Sequence, residues 1–258
     1  ANEQEQSNTK LKIVVPVTPR MSNHDDFDAL RFHPEIDLKF VFAAEHTDTR
    51  LPACDLIILA GSKSVCADLV FIREQGWHQD IAKHLRYGGK VYGICGGYQM
   101  LGQKISDPHG VEGDIAEIEG LGLLNVSTEL LPEKALTTCQ GEMQLNGQSV
   151  PVQGYEIHCG QTKGDDANDG QALFNFGSRH CGVISSDEQV AGGYLHGLFN
   201  QNKVVDELAL WCKTVLSNQK NMVERQESAI AMLAKTTEQH LDMKKICDLI
   251  SEWNNNDR

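Results

Sequence analysis

Lys90 to Ile105, KVYGICGGYQMLGQKI, constrains the fold of this chain more than any other stretch. Its first five residues alternate and suit a strand. Tyr98, Met100, Leu101 and Ile105 then recur at helical spacing, so the chain must turn from strand to helix at Gly93-Ile94-Cys95-Gly96-Gly97. That is the nucleophile-elbow pattern with cysteine in the place of serine: the turn is tight, glycines leave it room, and its tip projects one side chain outward. A single cysteine more often fills a core than reacts. A strand that ends in G-x-C-x-G and feeds a helix is a poor way to fill a core, however, and Cys95 is read as a nucleophile set beside the electropositive start of a helix.

The surrounding pattern supplies a sheet for that elbow. Leu11 to Val17, Leu38 to Ala43 and Asp55 to Ala60 read as strands, the last apolar enough to be buried on both faces. Helices are expected from Asp25 to about Phe32, where Pro34 stops the run, from Val65 to Glu74, from Trp77 to Arg86, and from the elbow to about Ile105. Alternating strands and helices predict an α/β fold with a doubly wound, mostly parallel sheet. Ligands collect beyond the carboxyl ends of such strands, where Gly61 and Cys95 both fall.

The texture then changes. Gly120 to Ser127 reads as a strand, and Gly141 to His158 carries Asn146-Gly147 between alternating runs, a two-residue hairpin that makes this an antiparallel extension. Val190 to His196 is a late strand ending in a histidine before Gly197. Lys203 to Trp253 is helical in period, with breaks near Gln219 and Gln239. Ala1 to Lys10 is polar throughout and reads as a linker, leaving one domain over 11–258 whose helical tail begins at about 203.

Charge and composition remove several functional classes. A net charge of −13 without clustered Lys or Arg argues against nucleic acid. There is no apolar run of about 18 residues and no basic-then-apolar leader, so no membrane partner is expected. The eight cysteines form no C-x-x-C and read as reduced, cytoplasmic thiols. The ten histidines do not fall at ligand spacing with them, and H-E-x-x-H is absent, so no metal is expected.

A cysteine nucleophile needs a partner that holds its proton and later protonates the leaving group. His196, at a strand end beside glycines, is the choice, with His158 the competitor. A tetrahedral intermediate also needs backbone N–H donors. Gly96, just after the nucleophile, and the Leu59-Ala60-Gly61-Ser62 turn can supply them.

Taken together, G-I-C-G-G-Y-Q-M-L-G at the elbow, the Gly61-Ser62-Lys63 turn and the Y-L-H-G-L-F segment resemble the class I glutamine amidotransferases of the cobalamin pathway. The likeness is greatest to the C-terminal glutaminase domain of the cobyric acid synthase family. It extends through Pro19-Arg20-Met21-Ser22-Asn23 with Asp26-Phe27-Asp28, through Asp68-Leu69, and through Asp107-Pro108 with Val111-Glu112-Gly113. It continues in Gly120-Leu121-Gly122-Leu123-Leu124, in Gly154-Tyr155-Glu156-Ile157-His158, and in His240-Leu241-Asp242-Met243.

The resemblance implies a flavodoxin-like fold in which Cys95 attacks the side-chain amide of glutamine and His196 assists. It gives Gln99, one helical turn beyond Cys95, a part in holding the substrate. Most class I enzymes carry a glutamate two residues after the histidine, where this chain has Leu198. Either a backbone carbonyl holds His196, or another acid such as Glu156 stands in. The resemblance further implies an ATP-dependent synthetase partner that amidates corrinoid carboxylates. No G-x-x-x-x-G-K-[ST] occurs here, so ATP and magnesium are expected only in that partner, and no cofactor in this chain. The alternatives are the glutaminase subunit of a peptidoglycan-precursor amidating complex, or a non-catalytic module that senses glutamine or docks a partner.

Overall fold

A computed structural model describes residues 9–44, 49–164, 172–217 and 222–256. Most of the polar N-terminal stretch, and the helix break expected near Gln219, lie outside them. The chain divides into two compact units, Ala1–Gln219 and Lys220–Arg258.

Among the described residues, fourteen strands build the first unit. They are β1 (Leu11–Pro16), β2 (Met21–Ser22), β3 (Ile36–Val41), β4 (Leu56–Leu59), β5 (Gly61–Ser62), β6 (Lys90–Ile94), β7 (Lys104–Ser106) and β8 (Glu117–Glu119). After these come β9 (Val126–Leu145), β10 (Gln148–Gly164), β11 (Ala172–Phe176), β12 (Arg179–Ile184), β13 (Val190–Gly193) and β14 (Leu195–His196). Its helices are α1 (Asp28–Arg31), α2 (Val65–Glu74), α3 (Trp77–Arg86), α4 (Gly96–Leu101) and α5 (Asn202–Trp211).

The main sheet runs β14-β10-β9-β11-β12-β13-β6-β4-β1-β3. Its parallel part is β13-β6-β4-β1-β3, and every pair from β13 outward to β14 is antiparallel. Successive strand residues face opposite sides, and the four residues of β4 show it. Leu56 and Ile58 join the core that includes α5, while Ile57 and Leu59 join the one under α2, α3 and α4. All four are buried, which is what the unbroken apolar run of this strand predicts.

Asn146 and Gly147 both have φ near the left-handed value, 53° and 69°, and close the β9–β10 hairpin with Leu145 opposite Gln148. Two boundaries just after the elbow differ from the sequence reading. Helix α4 stops at Leu101 rather than near Ile105, because Gly102 is extended and Lys104–Ser106 pairs with β8 and β9. Residues 121–124 are not strand. Their amides donate to the carbonyls of Met100, Leu101 and Gly102, the acceptors that the end of α4 leaves without intrahelical partners.

The second unit contains α6 (Met222–His240) and α7 (Met243–Asn256). Asp242 separates them, its carboxylate accepting the Lys245 amide at 3.0 Å as an N-cap, close to the break expected at Gln239. No helix among the described residues is long and apolar enough to cross a membrane.

Candidate active site

Cys95 sits where the elbow places it, at the carboxyl end of β6 and just before α4. Its φ of 50° and ψ of −107° are a strained conformation for a residue with a side chain, of the kind that costs about 1–3 kcal/mol and persists only where surrounding structure enforces it. The enforcement is visible. The Cys95 amide donates to the Gly193 carbonyl at 2.8 Å, and Gly97 lies so close to β4 that a Cβ there would come within 2.1 Å of the Leu59 carbonyl oxygen. The thiol is half-buried and donates to the Ile157 carbonyl at 3.8 Å.

His196 ends β14, paired with Tyr155 of β10, whose ring stacks on the imidazole with centroids 5.2 Å apart. It lines the same cleft as Cys95, Gln99, Tyr155 and His158, a cavity of about 370 Å³. That is ample for an amino-acid side chain and backbone. Gly61 lies beside both side chains: a Cβ built on it would sit 3.8 Å from the Cys95 Cβ and 3.7 Å from the His196 ring. A Cβ there would also meet the Ser22 hydroxyl oxygen at 3.2 Å. Gly96 approaches the same turn from the other side, where an added Cβ would meet the Ser62 amide nitrogen at 2.8 Å. The backbones of both expected oxyanion donors therefore converge beside the sulfur.

A small two-stranded ribbon holds that turn. β2 pairs with β5, Met21 opposite Ser62 and Ser22 opposite Gly61. Asp68, fully buried, ties its two sides together by accepting from the Thr18 hydroxyl at 2.7 Å, the Ser62 hydroxyl at 2.6 Å and the Arg20 amide at 3.2 Å. Glu112 closes the neighbouring wall, its carboxylate accepting the Val65 amide at the start of α2 at 2.7 Å. Asp107 folds the Glu112 loop by accepting the amides of Val111 and Glu112. Gln99 is buried, and its amide nitrogen donates to the Tyr194 hydroxyl at 3.2 Å.

Glu156 does not orient His196. Side chains alternate along β10, so Tyr155 shares a face with His196 while Glu156 turns the other way, opposite Leu195. It accepts instead from Arg179 at 2.6 Å and from the Cys181 thiol at 3.1 Å. The carboxylate that reaches His196 is Asp26, at 2.7 Å from Nδ1. No spacing rule links positions 170 residues apart, and the sequence reading gave Asp26 no role although it lies in the Asp26-Phe27-Asp28 match.

Residues 12–204 match the family model for the CobB/CobQ-like glutamine amidotransferase domain. The chain belongs to this family. It is 48% identical over 237 residues to the cobyric acid synthase of Vibrio vulnificus (strain CMCP6), covering 92% of this chain and 48% of that protein. It is 45% identical over 250 residues to the cobyric acid synthase of Photobacterium profundum, covering 96% of this chain and 49% of the relative. The chain thus spans about half the length of the curated relatives it matches.

Among solved structures, PurLQS from Thermotoga maritima aligns over 79% of this chain and 99% of its own with a TM-score of 0.58 and 19% identity. A putative GMP synthase subunit from Thermoplasma acidophilum aligns over 79% of this chain and 94% of its own with a TM-score of 0.53 and 14% identity. These likenesses establish the fold. This glutamine amidotransferase domain thus carries a flavodoxin-like sheet.

Its two cleft histidines differ in electrostatics. Burial opposes charge on His196, but the Asp26 hydrogen bond and the nearby Cys95 sulfur outweigh it and raise the pKa to about 9. Burial dominates at His158 and pushes its pKa down. Among the described residues, no three His, Cys, Asp or Glu side chains gather as a metal site requires.

Proposed function

We propose that this amidotransferase domain is the glutamine-hydrolysing half of a cobyric acid synthase, with Cys95 as nucleophile and His196 as acid and base. The observation that carries the assignment of residues is the strained elbow cysteine lining one cleft with a carboxylate-backed histidine, in a space ample for one amino acid. The names of the Vibrio and Photobacterium relatives support the choice of pathway.

The reaction runs in two halves. With the proton of Cys95 held on His196, sulfur attacks the side-chain amide carbon of glutamine, and the carbonyl electrons move onto oxygen, facing the Gly96 amide and the Gly61-Ser62 turn. The oxyanion collapses, the C–N bond breaks, and the nitrogen leaves as ammonia with the proton of His196. His196 then takes a proton from water, whose oxygen attacks the thioester. Collapse of this second intermediate expels the sulfur and frees glutamate. Gln99, braced by Tyr194, holds the substrate amino acid. Ammonia passes to an ATP-dependent synthetase partner, which holds ATP and magnesium and amidates corrinoid carboxylates; this chain needs no cofactor of its own.

The test is ammonia release from glutamine, with and without the synthetase half, together with mass mapping of a glutamine-like chloroketone on the chain. We expect labelling at Cys95, and loss of several orders of magnitude in Cys95→Ala without loss of fold. Residual turnover within about tenfold of wild type would remove Cys95 from the mechanism.

A further inference from the structure

His196 lacks a carboxylate on its own strand. The position two residues on is Leu198, buried in the core. The ring is nonetheless anchored, by a residue from the other end of the chain. Asp26 is buried at 5% exposure, and its two oxygens do different work. Oδ2 lies 2.7 Å from His196 Nδ1, while Oδ1 accepts the Gly197 amide at 2.8 Å. Gly197 has φ of 74°, a left-handed turn immediately after the histidine. One carboxylate therefore fixes both the imidazole ring and the backbone that carries it.

The delivery of Asp26 is equally specific. Asn23, at φ 56°, opens a single 3-10 turn over His24–Phe27, and the Asp26 amide closes it on the Asn23 carbonyl at 3.1 Å. Phe27 is buried against Phe40 with ring centroids 5.5 Å apart, which pins the turn to β3. Asp25 is exposed and Asp28 is half-buried, so Asp26 alone of the three acids is buried and reaches the histidine. With Nδ1 committed to Asp26, Nε2 remains buried with no hydrogen-bond partner. That is the atom a base needs free.

We infer that Asp26 is the positioning residue of His196, holding the Nδ1-protonated ring so that Nε2 is presented to Cys95. The role rests on the glutaminase reading for its consequence in turnover, but not for its geometry. It supplies from the amino-terminal segment what a carboxylate two residues past the histidine supplies in other class I enzymes. The groups with charge or titratable protons around the ring are Asp26 from the turn, Cys95 from the elbow, and Tyr155 and His158 from β10. Asp26 is the carboxylate hydrogen-bonded to the ring.

The decisive measurement is NMR of the histidine-labelled chain, with the His196 signal assigned by its loss in His196→Ala. In the wild-type chain the neutral ring is expected as the Nδ1–H form, and its titration is expected above that of free histidine. Asp26→Asn should move that titration toward acid by at least about one unit. It should also lower kcat by about 100-fold or more while KM changes less than about threefold, and Asp26→Glu should restore part of the rate.

A folded Asp26→Asn chain with unchanged His196 titration and kcat would overturn the role. So would a wild-type ring whose neutral form is Nε2–H, a result that decides the matter even where the variant does not fold. Failure of the wild-type chain to release ammonia or react at Cys95 would instead remove the glutaminase reading, and the NMR result would still decide what Asp26 does.

Discussion

The end of β14 and the middle of β10 each bring a histidine to one cleft, and the two are built for opposite ends. His196 has its Nδ1 on a buried carboxylate and its Nε2 free, so its charged form is favoured despite burial. His158 has its Nδ1 2.7 Å from the Gly160 carbonyl, lies with its ring 3.8 Å from that of Tyr194, and sits 4.0 Å from a Glu156 already occupied by Arg179. Burial therefore wins there and the neutral form is favoured. The lesson is that location in a pocket does not make a histidine a base; the partner of its far nitrogen does.

Substitution separates the two most sharply. His196→Ala should lower kcat for ammonia release by about 1,000-fold or more. His158→Ala should cost less than about tenfold. A dead but folded His158 variant beside an active His196 variant would exchange their roles. Glu156→Gln probes the comparison from the other side. It removes the carboxylate from the His158 neighbourhood and weakens the Arg179 contact, so the melting temperature should fall while kcat stays within about tenfold of wild type. A collapse of kcat in that variant would mean that Glu156 supports His196 after all.

The smallest effect is in the pH dependence of stability, where the histidines should act with opposite sign. The folded-state pKa of His196 is raised from 6.5 to about 9, so its contribution is full below about 6.5 and is lost as pH rises through about 9. That of His158 is lowered, so its contribution is present above 6.5 and is lost as pH falls through its folded value. Melting curves of wild type, His196→Ala and His158→Ala across that range should show the first gap closing toward alkali and the second toward acid. Parallel curves would erase the distinction.

Much of this arrangement was legible in residue order. The elbow, the buried strand Leu56–Leu59 and the Asn146-Gly147 hairpin each leave a pattern within a few residues, and such a pattern can be read even where distant contacts hold the element in place. The N-terminal helix expected over Asp25 to Phe32 is there as a 3-10 turn over His24–Phe27 that runs directly into the four residues of α1. Residues 121–124 looked like strand because they are apolar, yet their amides finish the end of α4. Glu156 was the natural candidate for the orienting acid because it lies in the Gly154–His158 motif, and only the register of β10 against β14 shows that it faces away. Asp26 illustrates the general limit. Its partner is set by the packing of Phe27 on β3 and by the turn at Gly197, neither of which leaves a mark at a fixed spacing.

The ribbon of β2 and β5 has one further consequence. The segment Thr18–Phe27 carries, within ten residues, the strand that pairs with the Gly61-Ser62 turn and the carboxylate that is hydrogen-bonded to His196. Errors in the two functions are therefore not independent variables. A substitution that shifts this segment changes both at once, and its combination with a change at Asp68 or Asp26 will depart from the sum of the single effects. A change in this segment that moves the Gly61-Ser62 turn also moves the carboxylate on His196.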